Sequence, residues 1–264
     1  MLTVEGGYVL GITAYWQGRL ESARTYFEGT IERCRPEQRV VHLVSYAQDF
    51  EIVCLTRLAH TLWLLGEEEA AERARDRGLE LAEERGHQYS RAVAHVFAAV
   101  LALDQHDEER LRRHTLALRS VISAYAAPQI SMAADAFAGL LEVLDDGSRQ
   151  AAGHVRSVVA DARRYPPATP GFHALLVRVL LEAYARAGDA QAGLPAADEA
   201  LRMAGGTQLW EAEIRRLRAG FLAAQGAPAR EVEGELERAI AGAQRQAARA
   251  FELRARADLA RTAT

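Results

Sequence analysis

Lysine and asparagine are absent from this chain of 264 residues, so all 32 basic residues are arginine. Without lysine there can be no G-x-x-x-x-G-K-[ST] loop, whose Lys reaches the phosphates of a bound nucleotide. Cysteine is nearly absent too. Cys34 and Cys54 make neither a disulfide framework nor a metal-ligand spacing, and reduced thiols in a cytoplasmic protein are the expectation. No apolar run approaches the ~18 residues of a membrane span. The longest uncharged stretch, Ser120 to Ala134, contains Pro128, Gln129 and Ser131. The start, MLTVEGG, lacks the basic-then-apolar pattern of a signal peptide. A net charge of -4 without a clustered basic face gives no reason to expect direct nucleic-acid binding. These absences predict a cytoplasmic protein without membrane or nucleic-acid contacts.

What the chain has is a period. Gly11, Ala59, Ala99, Gly139, Leu181 and Gly220 occupy equivalent places, with steps of 48, 40, 40, 42 and 39 between them. Self-similarity in this range marks repeat architecture. In the first repeat, Gly11 is followed by Ala14 and Tyr15, then by Ala23-x-x-x-Phe27. A small residue lets two helix backbones approach, and the large one fills the adjacent groove. Gln17-Gly18, Gly66, Gln105 to Asp107, Asp145 to Gly147, Gly188-Asp189 and Gly226-Ala227 follow each small position. There Gly ends the first helix of a pair and Asp or Ser caps the second. Ala, Leu, Arg and Glu dominate, and all are strong helix formers. The arginines are spread through both helices of most repeats, which fits coding composition better than selection for bidentate anion contacts.

The sequence therefore predicts an all-α fold. It is a tetratricopeptide-like α-solenoid of six helix pairs in a right-handed superhelix, with a capping helix over Arg249 to Leu259. Residues 1–264 form one domain. Within it, the Pro-rich segment 163–170 is a loop, because Pro166, Pro167 and Pro170 cannot lie inside a helix. Pro195 should delay or kink the helix that contains it. The first step is about eight residues longer than the others, and the excess, between Glu32 and Phe50, is the one substantial irregular insertion.

The repeat positions resemble the tetratricopeptide family, and a narrower likeness lies in YAQDFEIVCL (46–55), LWLLG (62–66), WEAEIRRLRAG (210–220) and RQAARAFELRARADLAR (245–261). These stretches are similar to the C-terminal helical region of large bacterial signalling proteins. Those are ATPase-containing transcriptional activators of the maltose-regulator type and adenylate or guanylate cyclase-like proteins. The resemblance implies a regulatory role, in which the helical region receives an inducer or partner and controls an attached ATPase and output domain. The chain departs from that family in lacking a phosphate-binding loop, a cyclase domain and a DNA-binding helix-turn-helix. Its start almost inside the first repeat suggests a fragment of a larger protein.

Catalytic chemistry finds no support in the residue pattern. No two of the eight His stand at the i, i+4 spacing of a helical metal site. Ser45 near His42 and Ser157 near His154 lack a nucleophile-elbow turn. No catalytic residue, metal or cofactor is expected. Two constellations are candidates for binding a protein segment or a small inducer in a concave groove. In the insertion, His42, Tyr46, Gln48 and Asp49 combine an imidazole, a phenol, an amide and a carboxylate. They either close one end of the groove, or Asp49 caps the next helix while Tyr46 fills a gap. On the sixth repeat, Trp210, Glu213 and Arg216 fall on one helix side, with the composition of a binding hot spot, unless Trp210 packs on a neighbouring repeat. Arg57, His95, Arg178 and Arg91 are further groove candidates.

Overall fold

In the computed structural model the described residues are 3–123, 127–163, 170–203 and 208–262. Among them every regular element is an α-helix. The chain runs through α1 (Val4–Trp16), α2 (Leu20–Arg33), α3 (Pro36–Tyr46), α4 (Phe50–Leu65), α5 (Glu68–Arg85), α6 (Gln88–Gln105) and α7 (Glu108–Ile122). It continues through α8 (Pro128–Asp146), α9 (Arg149–Ala162), α10 (Pro170–Arg186), α11 (Ala190–Met203), α12 (Glu211–Ala224), α13 (Ala229–Gln246) and α14 (Arg249–Thr262). Two compact units divide these elements. One comprises residues 1–15 and 19–134, the other residues 16–18 and 135–264.

In the first unit α4 is central, packing on α2, α5 and α6. Residues Ile52 to Leu64 of α4 are all buried. A helix covered on every side forces its polar residues to find partners inside the protein. Thr56 and Thr61 do so locally, donating to the carbonyls of Ile52 at 3.1 Å and Arg57 at 2.8 Å. In the second unit α12 has the corresponding place, against α10, α11, α13 and α14. The C-terminal helix expected from the sequence is α14, and it packs on α12 and α13.

The glycines expected to end first helices do so. Gly18, Gly66, Gly147, Gly188 and Gly226 all have positive φ. The one such connection without a glycine places His106 at φ 58. Side chains cap the second helices as expected at Asp107, Ser148 and Asp189, which accept from Arg110, Ala151 and Ala192 N–H. The close approaches at Gly11 and Gly139 are real. A Cβ there would meet the Phe27 ring at 2.7 Å and Val155 Cγ2 at 2.8 Å.

Three expectations are corrected. The insertion is mostly helical: α3 begins at Pro36, whose fixed φ suits the first helical position, and ends at Ala47 with φ 54. Gly220 is exposed and a Cβ there meets nothing within 4 Å, so the packed small residue of that repeat is its neighbour Ala219. Pro195 does not delay the start of α11, which begins at Ala190 and runs through the proline to Met203. Of the Pro-rich segment, residues 164–169 lie outside the described residues.

Candidate functional site

The first unit gathers aromatic and polar side chains from α1, α4 and α6. Tyr8 and Tyr15 are seven residues apart, two turns on one face of α1. Arg57 and His60 are one turn apart on α4, and Phe97 and Asp104 are two turns apart on α6. The Tyr15 hydroxyl is 2.8 Å from His60 Nδ1, and His60 Nε2 is 3.0 Å from Asp104 Oδ2. All three residues have 0% exposure. The His60 imidazole satisfies both contacts when Nδ1 accepts from Tyr15 and Nε2–H donates to the carboxylate. Burial raises the Tyr15 phenol far above its ordinary range, so it remains a neutral donor. A tyrosine, a histidine and an aspartate in series could relay a proton, yet these three lie wholly under other side chains.

Arg57 adjoins this cluster, with its Cζ 3.8 Å over the Phe97 ring centroid. Its Nη1 donates to the Val53 carbonyl at 3.3 Å, and its buried Nε has no hydrogen-bond partner. Burial lowers its pKa. Tyr8, which burial pushes up to about 12, donates to Gln48 Oε1 at 2.5 Å.

Of the insertion residues, His42 is buried on α3. It stacks on Phe50 with centroids 4.4 Å apart, and its Nε2 lies 3.2 Å from Glu5 Oε1. Tyr46 leans on the same Phe50 ring and keeps about half its surface exposed. Asp49 caps α4 through Ile52 N–H and receives two bonds from Arg85 Nη1 at 2.9 and 3.0 Å. His42 and Asp49 are therefore engaged in packing and capping rather than presented to solvent. Gln48 accepts from Tyr8, while His42 and Tyr46 reach that side through Phe50, on which Tyr8 also stacks at 4.1 Å.

His95 is packed against His114, with the two Nδ1 atoms 3.3 Å apart. Burial, with His95 and Arg113 adding to it, brings the pKa of His114 down to about 3. Burial also lowers that of His95. Both rings are neutral at physiological pH. Arg91 lies outside this pair, bound to Glu83 Oε2 at 2.8 Å.

In the second unit the candidate hot spot is corrected. Trp210 is 2% exposed, and its ring lies 5.9 Å from that of Trp16 in the same unit. It precedes α12 rather than projecting from the helix, so its indole packs into the core. Glu213 is fully buried among cations: Arg216 Nη2 at 2.7 Å, Arg178 Nη2 at 3.6 Å and Arg254 Nη1 at 3.7 Å. Burial alone would raise its pKa, but these three arginines outweigh that and hold it below the ordinary carboxylate range. Arg216 also reaches Asp258 at 2.8 Å, and Arg178 reaches Glu182 at 3.1 Å. The residues chosen from the sequence do meet, but as an internally neutralised network and not as an open surface.

Tyr8, Tyr15, Phe97 and Asp104 were not singled out from the sequence as site residues. The signal was present as i, i+3 and i, i+7 spacings on three helices, but nothing in one helix says which face meets another. Compared with protein-family models the chain matches none, and no curated protein matches it.

Proposed function

We propose that the chain is a non-catalytic binding and regulatory module of tetratricopeptide-like construction. It receives a small inducer or a partner segment and passes that occupancy to an attached or associated ATPase or output domain. The observation that supports this reading is Arg57. Of the three buried arginines among the described residues, Arg75 has Glu72 and Arg178 has Glu182. Arg57 has an aromatic ring and a carbonyl but no carboxylate. A buried cation is costly unless it is paired, and proteins retain such strain chiefly where it is used. Regulation then requires a ligand with different affinities for two arrangements of the helices.

Thermal melting against libraries of small molecules and peptides tests the reading. A ligand at about 100 times its Kd should stabilise the protein by about 2.7 kcal/mol.

A second reading, a scaffold that binds no small ligand, has its own support. Val40, Val41 and Val44 of α3 are 62%, 58% and 81% exposed, an unusual apolar face for a helix. Sedimentation across a concentration series, with the parent and with Val44→Glu, separates the two readings. If mass rises with concentration in the parent only, and no compound shifts the melt, the scaffold reading replaces the first.

A further inference from the structure

Arg57 leaves one edge of its guanidinium unused. The Nη1 side is taken by the Val53 carbonyl, while the buried Nε has no partner. The carboxylates of the same region are committed elsewhere. Asp49 and Glu51 are held by Arg85 at 2.9 and 2.6 Å, and Asp104 is held by His60. Burial lowers the Arg57 pKa, and the side chains around it include the phenols of Tyr8, Tyr15 and Tyr89 and the thiol of Cys54. Burial keeps the Tyr8 and Tyr15 phenols and the Cys54 thiol in their neutral forms, so none of these three answers the guanidinium charge. Arg57 keeps 7% of its surface exposed, and Tyr8 and Tyr89 are only partly buried.

Resting on the binding-module reading, we propose that Arg57 anchors a site for a small organic monocarboxylate. The ligand's carboxylate meets the Nε edge, and its apolar or aromatic body extends toward the half-buried Tyr8 and Tyr89. An Nε edge offers a planar fork that matches a carboxylate. The single positive charge suits a monoanion. A phosphate dianion would call for a second cation beside the guanidinium. The aromatic surroundings favour a ligand body that is not itself strongly hydrated.

The test uses the full chain with 15N-labelled arginine, following the Arg57 Nε–H resonance, assigned by its loss in Arg57→Lys. Sodium benzoate is the probe at about 10 mM, ten times a millimolar Kd. Acetate, inorganic phosphate and benzyl alcohol are comparators. Benzoate should move the resonance and raise the melting temperature, whereas benzyl alcohol should do neither. Arg57→Met, which keeps the stem and removes the charge, should melt no lower than the parent without ligand and lose the benzoate response. Arg57→Lys keeps the charge without the fork and should bind benzoate at least tenfold more weakly.

If benzoate stabilises Arg57→Met and parent alike, the inference falls while the binding-module reading stands. A response to phosphate alone overturns the carboxylate assignment. No movement of the resonance with benzoate, acetate or phosphate overturns the site. If no compound of any class shifts the melt and the chain self-associates, both readings fail together.

Discussion

Tyr15 and His60 meet at 2.8 Å in a part of the first unit from which solvent is fully excluded. They belong to different helices, α1 and α4, so the contact ties the first helix to the central one. Tyr15→Phe keeps the ring and removes the hydroxyl, leaving His60 Nδ1 without its partner. The expected loss is about 1–3 kcal/mol. His60→Leu also takes the Nε2 donor from Asp104, and should cost about 3 kcal/mol or more. Urea unfolding of both variants checks this. Losses below about 0.5 kcal/mol, the range of ordinary surface changes, would show that the contact contributes nothing.

Glycine substitutions test the packing of the repeat positions. At Gly11 and Gly139 a Cβ already falls within 2.7 Å of Phe27 and 2.8 Å of Val155. Gly11→Leu and Gly139→Leu should therefore each destabilise by about 1–3 kcal/mol or more. Gly220 has open space around it inside α12. Gly220→Ala should be neutral or stabilise by up to about 1 kcal/mol, because it removes backbone freedom from the unfolded chain. Melting temperatures that rank Gly220→Ala with the other two would contradict the contrast.

The buried Glu213 makes the second unit sensitive to acid. Its arginine neighbours depress its folded pKa, so its contribution is fully present above the unfolded value. That contribution is lost as pH falls below about 4.3 and through the folded value. Glu213→Gln should destabilise by about 3–5 kcal/mol at neutral pH, because Arg178 and Arg216 lose a charged partner in a buried site. The same variant should show a shallower loss of stability below pH ~4.3 than the parent. Unfolding midpoints at neutral and acid pH measure both effects.

His114 acts in a higher pH window. Its folded pKa, about 3, lies below its unfolded value, so the unfolded chain binds the extra proton. Stability is complete above about pH 6.5 and falls as the pH is lowered from there, with a slope of at most about 1.4 kcal/mol per pH unit for this group. His95, whose pKa is lowered as well, adds to the same trend. His114→Phe should flatten the profile between pH ~6.5 and ~4, whatever its effect on absolute stability. A parallel profile in parent and variant would show that this ring does not stay neutral in the fold.

Much of the helical layout was legible in the sequence because its causes are local. Positive φ at Gly66 and Gly188 follows from the absence of a Cβ, and the caps at Asp49 and Asp107 follow from a carboxylate beside free N–H groups. The insertion departs from the repeat period, which carries no sign of helix there, yet Pro36 at a helix start and the run through Val44 form α3.

The site was less legible. The i, i+3, i+6 spacing correctly put Glu213 and Arg216 on one side of α12. It gave no indication that Arg178 and Arg254 lie on the other side of that contact. Trp210 looked like an anchor for a partner because indoles are common in hot spots, yet its own unit had already covered it.

The sequence by itself determined the helical class, most of the turns between paired helices and close-packed small positions such as Gly11 and Gly139, since propensity, capping and backbone freedom act within a few residues. Only the tertiary structure decided which charges would be answered. Arg178, 35 residues from Glu213, finds it, whereas Arg57 lies among phenols while the nearby carboxylates are bound to Arg85 and His60. Pairing over such distances depends on where whole helices sit, and no local spacing carries that information.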